Sequence, residues 1–539
     1  MAMPKMLSGD VESSQTKVRP RFSAKSVGRV IRAVDCEGAS AASVRLRWLE
    51  AVAATVSNRR PDIAPTIISV LGVDPGPSDY LKGLSIGEIG VCYEAILARL
   101  NRGNRKSSGQ FFTPDDAAHF MAQQSRYFQE GKWIDPCCGV GNLSWHLASV
   151  QESPGHFVRS NLLLVDIDET ALKTAVALIS ADWVDEGDSE AVEKLYSRSR
   201  VCDFLSAENS LEYDYVIVNP PYARTEKRFG FETSDSRDLF AYFIEKIAKH
   251  SRGYISVTPA SYLSAPKFQV MRKVISENSK GGKIFVFDNV PDTLFRGYKY
   301  GSNNTSKTNF VRAAVTVCTS TLPEWEITPI IRWTAATRSI MFANCSSLLV
   351  PRRIGPNGEW AKITPGMQSA WDTLIRSDTK IGDMTVKNPT EWALDVALTP
   401  RYYISAARRR LNRGSKATLY FESQEDRDRA AIVLNSSIPY LWWRALDGGV
   451  TLPRRVLMST PVPDFELDET VLDRLWNSED RSLVIKLNAG RENENIKHSL
   501  SLVEYLNSIV IPGRHNIDLL YASSMFPLSE GSEEIVSPL

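Results

Sequence analysis

Asn219-Pro220-Pro221-Tyr222 is the segment whose residue types point most directly to chemistry. Two consecutive prolines remove two backbone N–H donors and stiffen a turn. The Asn219 side-chain oxygen and the Pro220 carbonyl then become fixed acceptors beside an aromatic ring. An exocyclic amine has two N–H groups that need two acceptors, and holding both draws its nitrogen towards a tetrahedral geometry that frees the lone pair. The segment therefore predicts activation of a ring-bound amine, with a merely structural turn as the alternative.

A glycine-containing turn, Asp135-Pro-Cys-Cys-Gly139-Val-Gly141, is the second feature. Its glycines allow a tight turn and a close approach of the backbone to a ligand. The third glycine of a dinucleotide fingerprint is missing, which argues against that class of cofactor. The Asp135 carboxylate at the start of the turn can hold a cationic amino group, such as that of S-adenosylmethionine. A tight strand-to-helix turn without a ligand is the alternative.

Two further acidic residues follow apolar, strand-like segments. Asp166 ends the run 162–166, and a carboxylate at that place in a nucleotide-binding fold accepts ribose hydroxyls. Asp203 stands beside Phe204, so its carboxylate could bond the adenine amino group of a cofactor while the ring covers the adenine face. A solvated strand end for Asp166 and an ordinary loop residue for Asp203 are the alternatives.

These segments lie where strand-like runs alternate with helical patterns, which predicts a doubly wound α/β sheet. Each run is apolar throughout rather than alternating, as suits strands buried on both faces. The predicted strands are 133–135, 162–166, 215–218, 254–257, 283–287 and 313–317. Open sheets of this kind bind ligands at the carboxyl ends of their strands, which is where the chemical segments fall.

The chain has 539 residues, enough for two to four domains at roughly 150 residues each. Composition and periodicity divide it into a flexible tail (1–40), a helical N-terminal region (41–104), an α/β region (105–325), a mixed α/β region (326–470) and a charged helical segment with a loose tail (471–539).

In this order, the four segments resemble those of the amino-group DNA methyltransferases. Upstream, Gly109-Gln-Phe111-Phe-Thr113-Pro is similar to the segment that cradles the methionine end of S-adenosylmethionine in these enzymes. Its place before the glycine turn, with target recognition last, resembles the gamma arrangement of many adenine-N6 enzymes. The resemblance covers residues 85 to 320 and implies a Rossmann-like, S-adenosylmethionine-dependent methyltransferase domain. It implies that 105–325 is the catalytic domain and 326–470 the target-recognition domain.

The resemblance also implies roles for single residues. Cofactor contacts would come from Phe111, Thr113, Asp135, Gly139, Gly141, Asp166, Asp203 and Phe204. Catalysis would fall to Asn219, Pro220, Pro221 and Tyr222, acting on an adenine flipped out of double-stranded DNA. Phe295 resembles the later aromatic residue whose ring packs on the flipped base. The polar stretch 298–308 separates it from the next strand, so Phe310 is a rival, although the sequence favours Phe295.

DNA affinity requires Lys and Arg side chains against phosphates. The predicted DNA contacts are Arg352, Arg353, Arg401, Arg408, Arg409, Arg410, Arg413, Arg454 and Arg455. A solvated basic helix face is the alternative. Trp442 and Trp443 are expected in the core rather than stacked on bases.

Composition restricts the classes of protein to which the chain can belong. Hydrophobic content of 43% and charged content of 24% are ordinary for a globular protein, and a net charge of +1 means that any basic surface must be local. Seven cysteines without a C-x-x-C pair favour a reducing cytoplasm. No uncharged run approaches the ~18 residues of a membrane span, no secretory signal is visible, and the histidines show no metal-ligand spacing.

Several alternative activities share parts of this pattern. An Asn-Pro-Pro-Tyr turn also occurs in enzymes that methylate RNA bases or a protein glutamine amide, but the Phe-Phe-Thr-Pro segment and the large C-terminal region favour DNA. Cytosine-N4 enzymes tend to have Ser where Asn219 stands. A combined restriction enzyme would need a Pro-Asp…Glu-x-Lys constellation that the sequence does not show, whereas a separate cognate restriction endonuclease is a partner it allows. Intact acceptors argue against a non-catalytic DNA-binding subunit.

Overall fold

A computed structural model gives the fold. It describes residues 24–34, 40–100, 113–206, 211–290, 292–295, 299–300, 303–304, 311–400, 403–488, 491–511, 513 and 520. Three residues singled out above, Phe111, Arg401 and Phe310, lie outside the described residues. The chain divides into two compact units: unit 1 comprises Met1–Ala223 and Phe295–Asn309, and unit 2 comprises Arg224–Leu294 and Phe310–Leu539.

The helices α1 to α9 belong to unit 1, and α10 to α18 belong to unit 2. In chain order the α-helices are α1 Ala24–Val34, α2 Ala41–Arg59, α3 Ala64–Leu71, α4 Ile86–Leu100, α5 Asp115–Gln123, α6 Asn142–Ser149, α7 Pro154–Ser160, α8 Glu169–Trp183, α9 Ser189–Arg198, α10 Leu239–His250, α11 Gln269–Asn278, α12 Arg338–Asn344, α13 Gln368–Leu374, α14 Gln424–Asn435, α15 Ile438–Leu446, α16 Arg454–Met458, α17 Glu469–Arg481 and α18 Leu500–Val510.

The strands β1 to β4, β7 and β8 belong to unit 1, and the others belong to unit 2. In chain order the strands are β1 Trp133–Asp135, β2 Leu162–Asp166, β3 Arg200–Val201, β4 Tyr215–Val218, β5 Gly253–Pro259, β6 Gly282–Phe287, β7 Lys299–Tyr300, β8 Asn303–Asn304, β9 Ala313–Thr319, β10 Trp325–Ile331, β11 Val350–Pro351, β12 Arg353–Ile354, β13 Trp360–Ala361, β14 Thr385–Val386, β15 Ala393–Ala397, β16 Ala406–Ala407, β17 Lys416–Phe421, β18 Leu483–Asn488 and β19 Arg491–Ile496.

The sheet of unit 1 has the order β4-β1-β2-β3, and its neighbouring strands are parallel. The central strand β1 pairs on both edges, Trp133 lying opposite Leu162 of β2 and Tyr215 of β4. After β1, the chain adds β2 and then β3 on one side of it. The next strand, β4, then pairs with the opposite side of β1. Such a reversal opens a crevice at the carboxyl ends of the two diverging strands, β1 and β4. The predicted α/β fold and the first three predicted strands are confirmed.

The N-terminal helices of unit 1 pack on α8. Asp168 caps α8 by accepting the Thr170 N–H at 3.0 Å, and its carboxylate also binds Arg45 at 2.5 Å and the Tyr93 hydroxyl at 2.7 Å. The Trp48 indole donates to the Thr174 hydroxyl at 2.9 Å. These bonds fix the start of the helix that follows β2.

The helix α1 lies within the stretch predicted to be a flexible tail. Its Val27, Val30, Ile31 and Val34 are buried, and their spacing of three and four residues places them on one helix face. The burial of that face explains why a basic, Ser-rich segment contains a helix. The domain bounds inferred from the sequence otherwise stay a prediction.

Unit 2 has a mixed sheet of order β11-β10-β6-β9-β5. The strand β9 is antiparallel to β5 and β6, and β10 is parallel to β6. The α/β region inferred from the sequence ends at 325, but β10 continues the sheet past that residue. Its register shifts between Ile327 and Ile330, and the Thr328 hydroxyl accepts the Val286 N–H at 2.9 Å. That irregularity accommodates a proline, Pro329, which has no N–H to pair.

The C-terminal part of unit 2 has its own apolar core, in which Trp371 stacks on Trp442 at 4.8 Å between ring centroids. Trp442 and Trp443 are both buried, so the expectation that they are core residues is confirmed. A small sheet of order β14-β17-β15-β16 lies in this part. The antiparallel hairpin β18–β19 was not predicted, because β19 is too polar to show a strand pattern. Among the described residues, no helix combines the length and apolarity that a bilayer span requires.

Candidate active site

The two turns that follow β1 and β4 are joined in unit 1. The Cys137 thiol donates to the backbone carbonyl oxygen of Asn219 at 3.3 Å. This bond connects the glycine turn after β1 to the Asn-Pro-Pro-Tyr segment after β4. The two predicted chemical segments therefore meet at the crevice that the sheet order creates.

The glycine turn is held by its backbone geometry. Gly139 and Gly141 have φ angles of 54° and 94°, in the left-handed region that favours glycine. A Cβ on Gly141 would lie 2.9 Å from the Cβ of Ala175 in α8. Both glycines are thus required, Gly141 for two independent reasons. The turn presents backbone closely at the end of β1, as a ligand-cradling loop must.

Asp135 is buried at the end of β1. Its carboxylate accepts the Ser144 hydroxyl at 3.0 Å and the Cys137 N–H at 3.4 Å. Burial, with a smaller contribution from nearby Asp166, raises the pKa of Asp135 to about 7 despite these bonds. Within the part of the chain that the structure describes, Asp135 makes no ion pair, and a buried carboxylate of this kind suits a cationic ligand, because the ligand's charge would stabilise the ionised form.

Asp166 connects the ends of β1 and β2. One carboxylate oxygen accepts the Gly139 N–H at 2.8 Å, and the other accepts the Asp168 N–H at 2.9 Å. Burial raises the pKa of Asp166, and these two backbone bonds oppose the shift. The carboxylate is therefore fixed in orientation at the place where a contact with ribose hydroxyls is predicted.

Asp203 and Phe204 follow β3. Asp203 is exposed, and its carboxylate accepts the Leu205 N–H at 2.9 Å and the Ser206 hydroxyl at 2.7 Å. The Phe204 ring is buried, with its centroid 6.4 Å from that of Tyr213. The loop interpretation thus accounts for the visible bonds of Asp203, and a role in binding adenine stays a prediction.

Thr113 links the upstream segment to both turns. Its hydroxyl accepts a hydrogen bond from the Asn219 amide nitrogen at 3.1 Å. Its carbonyl oxygen accepts one from the amide nitrogen of Asn142, the first residue of α6. Sequence reasoning missed Asn142 and Ser144, whose position in the first turn of α6 after Gly141 was the available signal.

The aromatic partners of the predicted target lie together in unit 1. The Tyr222 and Phe295 rings have centroids 5.9 Å apart and planes inclined at 69°, an edge-to-face contact. Phe295 is buried, and burial raises the pKa of Tyr222 well above its ordinary value. Phe295 is therefore next to the Asn-Pro-Pro-Tyr turn, and its role as the ring that meets the target base stays a prediction.

Some predicted DNA-binding arginines have structural partners within unit 2. Arg352 lies over the ring of Trp360 at 4.6 Å, and Arg353 makes a two-pronged ion pair with Asp372 at 2.9 and 3.1 Å. Arg413 donates to the carbonyls of Ser415 and Glu494 at 2.9 and 3.1 Å. These contacts give the three side chains a role in packing.

The remaining described arginines of the set are exposed: Arg408, Arg409, Arg410, Arg454 and Arg455. Arg410 contacts buried Asp395 at 3.1 Å, and Arg455 contacts Asp447 at 3.2 Å. Exposure leaves these guanidinium groups accessible to phosphates. Within the described ranges, no group of three or more His, Cys, Asp or Glu residues is arranged to hold a metal ion.

Residues 156–292, which include the Asn-Pro-Pro-Tyr turn, match the family described as Eco57I restriction-modification methylase. The chain resembles restriction-modification DNA methyltransferases. It is 27% identical over 192 residues to the Type II methyltransferase M.VspI of Vibrio sp. (strain 343), covering 33% of this chain and 44% of that protein. It is 23% identical over 212 residues to the Type II methyltransferase M.PstI of Providencia stuartii, covering 36% and 41%.

The match to restriction-modification methyltransferases confirms the resemblance drawn from the motifs at that level. The chain spans less than half the length of these two relatives. A solved structure, the DrdV–DNA complex studied by cryo-electron microscopy, aligns with 90% of this chain and 56% of its own at 13% identity and a TM-score of 0.44.

Proposed function

We propose that the protein is a site-specific DNA methyltransferase of the gamma arrangement that transfers a methyl group from S-adenosylmethionine to N6 of a flipped adenine in double-stranded DNA. The observation that carries the proposal is the arrangement at the ends of β1 and β4, where Thr113 orients the Asn219 amide next to Pro220 and Tyr222. The match to restriction-modification methylases supports it at the coarser level of DNA methylation.

The residues around the glycine turn fit S-adenosylmethionine. Asp135, buried and easily protonated on its own, would hold the cationic amino group of the methionine end. Asp166 would accept the ribose hydroxyls, and Gly139 and Gly141 would allow the close approach of the backbone. When bound, the cofactor supplies an electrophilic methyl group on sulfur. Phe111, Thr113, Asp203 and Phe204 complete the proposed contacts.

Asn219 and Pro220 act on the target amine. Because the Asn219 amide nitrogen donates to Thr113, the amide oxygen lies at the other end of the group. That oxygen and the Pro220 carbonyl would each accept one amine hydrogen, which localises the nitrogen lone pair for attack on the methyl carbon. Pro221 has no N–H to compete for the same acceptors.

Tyr222 and Phe295 would receive the flipped base. Their present edge-to-face contact leaves no room for a purine between parallel rings. The entering adenine would therefore stack on the Tyr222 face and move the Phe295 edge aside. Replacing one aromatic contact with a base–aromatic stack offsets part of the cost of unpairing the base.

The partner proposed for the exposed arginines of unit 2 is the phosphate backbone of double-stranded DNA. A separate cognate restriction endonuclease and a cytoplasmic setting belong to the same proposal. Methylation of RNA or of a protein amide is the competing activity that shares the Asn-Pro-Pro-Tyr chemistry.

Sequencing and labelling of one culture would test the proposal. The protein and its Asn219→Ala variant are expressed in a bacterial strain without adenine methylation of its own, and the genomic DNA is read by single-molecule sequencing. We expect N6-methyladenine at one short sequence with the wild type and none with the variant. Radioactive methyl label confined to RNA or protein, or N4-methylcytosine in the DNA, would contradict the proposal.

A further inference from the structure

Phe229 is the most exposed of the large apolar side chains that the described residues present, at 89%. It lies in the segment 224–238 of unit 2, which follows the catalytic turn directly along the chain. Single apolar side chains on a surface are common and by themselves mean little. Phe229 differs from the other exposed apolar side chains because the loop that carries it is held rigidly.

The two ends of the segment 224–238 are paired. Arg224 and Asp238 form an antiparallel bridge, and the Thr225 N–H donates to the Arg237 carbonyl at 3.0 Å. Lys267 makes an ion pair with Asp238 at the same base. The segment is thus a closed loop on a fixed stem.

The second half of the loop, at residues 232–234, is hydrogen-bonded to α10. Glu245 accepts the N–H groups of Glu232 and Thr233 at 3.0 and 2.8 Å, and the Tyr242 hydroxyl donates to the Ser234 carbonyl at 2.9 Å. Burial tends to raise the pKa of Glu245, but these N–H groups and Lys249 hold it below its ordinary value. The carboxylate is therefore ionised at neutral pH and holds the loop firmly.

The two phenylalanines of the loop tip have opposite environments. The Phe231 ring packs against Tyr242, with centroids 5.1 Å apart, and the Arg228 guanidinium lies 5.8 Å from the same ring. Gly230 between them has a φ of 87°, which reverses the chain. The Phe231 ring is therefore anchored on the protein, while the Phe229 ring is exposed to solvent. Phe229 directly follows Lys227 and Arg228 in the sequence.

We propose that Phe229 is a wedge that inserts between base pairs of the duplex next to the flipped adenine. An apolar side chain that enters a base step replaces the stacking lost when a base leaves the helix. Phe229 is seven residues beyond Tyr222, at most about 25 Å along an extended chain, which is less than one helical turn of DNA. The proposal rests on the proposed function and adds a DNA-contacting residue outside the catalytic turn.

The test compares Phe229→Ala with wild type on two duplexes that carry the methylated sequence found by genomic sequencing. In one duplex the target adenine is paired, and in the other it faces an abasic position. We expect Phe229→Ala to lower kcat/KM on the paired duplex about tenfold or more, because the cost of unpairing is no longer offset. On the abasic duplex the variant should come within about twofold of wild type, because that duplex has little pairing to lose.

Two controls separate the possible failures. Leu487→Ala removes another highly exposed apolar side chain, 76% exposed in β18, and should behave as wild type on both duplexes. Phe229→Trp keeps a large flat ring and should retain most of the paired-duplex activity. Equal activity of Phe229→Ala and wild type on the paired duplex would overturn the wedge, and so would an equal loss on both duplexes. A wild type inactive on both would instead overturn the proposed function.

Discussion

The hydroxyl of Thr113 accepts a hydrogen bond from the Asn219 amide nitrogen at 3.1 Å. An amide side chain is nearly symmetric in shape, so only its hydrogen bonds decide which end presents oxygen and which presents nitrogen. The bond to Thr113 fixes the orientation of the Asn219 amide. The Asn142 amide nitrogen in turn donates a hydrogen bond to the Thr113 carbonyl oxygen. The segment in front of the glycine turn thus positions Asn219, the residue that we propose meets the target amine.

Replacement of Thr113 by Val should therefore weaken methyl transfer while leaving the shape of the site intact. We expect kcat to fall about 10- to 100-fold, because a misdirected amide no longer aligns the amine. Thr113→Ser keeps the hydroxyl and should retain most of the rate. Single-turnover methylation and the Kd for S-adenosylmethionine would be measured for both variants. A loss confined to cofactor affinity, with kcat unchanged, would show that Thr113 acts on the cofactor alone.

The sequence predicted the strands of the α/β core well, because their apolar runs are buried on both faces and show no competing pattern. It did not predict β10, in which Pro329 and a register shift obscure the strand signal. It also missed the helix α1, whose short apolar face is surrounded by basic and Ser-rich sequence.

The positions of Asp135, Asp166 and Asn219 at strand ends were predictable, because a residue type and a turn coincide there, while their roles stay predictions. It was not predictable where the function of a side chain depends on a partner far along the chain. Thr113 and Asn219 are separated by 106 residues, and no pattern in the sequence pairs them. Arg413 has the same residue type as exposed Arg454, yet its partners Ser415 and Glu494 make it a packing residue.

Binding of S-adenosylmethionine should depend on pH through Asp135. Its pKa of about 7 comes mainly from burial, and a cationic ligand would lower it by stabilising the carboxylate. Affinity should therefore rise as the pH increases from 6 to about 7 and level off above that, with release of about half a proton per bound cofactor at pH 7 and nearly one at pH 6. Calorimetry in buffers of different ionisation enthalpy measures that proton directly. Asp135→Asn should bind weakly with a flat pH profile, and a pH dependence that survives in this variant would assign the effect to another group.

The same group affects folding with the opposite trend. Asp135 has a pKa of about 7 when folded against an ordinary value of 3.8, so the folded state retains a proton that the unfolded state loses. Its contribution to stability is fully present below about pH 4 and is lost as the pH rises through 7. Without cofactor, Asp135→Asn should therefore gain stability relative to wild type between pH 5 and 8. Urea unfolding measures the free energy of unfolding of both proteins across that range. If Asp135 titrated normally, the difference between the two proteins would not change with pH.

Gly141→Ala should destabilise unit 1 more than the backbone angle alone requires. A non-glycine residue at positive φ costs about 1–2 kcal/mol, and the new Cβ would also press on Ala175 at 2.9 Å, which adds about 1–3 kcal/mol. Gly187→Ala is the matched control, because Gly187 has a φ of 74° but no atom within 4 Å of an added Cβ. Urea unfolding should rank the two variants in that order. Equal losses would show that α8 moves away from the turn without penalty.

The exposed arginines of unit 2 should differ from the packed ones in the way that their loss affects DNA binding. Arg409 and Arg454 are exposed, so Arg409→Gln and Arg454→Gln should each reduce the slope of log K against log salt by about one, with the midpoint of thermal unfolding unchanged. Arg376→Gln removes an exposed arginine outside the predicted set and should leave the slope unaltered.

Arg413→Gln should behave in the opposite way, lowering the midpoint of unfolding because it loses bonds to Ser415, Glu494 and Thr399. Titration of a labelled duplex at several salt concentrations, together with thermal unfolding, separates the two effects for each variant. A different result is that Arg409→Gln and Arg376→Gln both keep the wild-type slope of log K against log salt while Arg413→Gln reduces it. DNA would then contact the surface around Arg413. The assignment of Arg409 and Arg454 to phosphates would then be wrong.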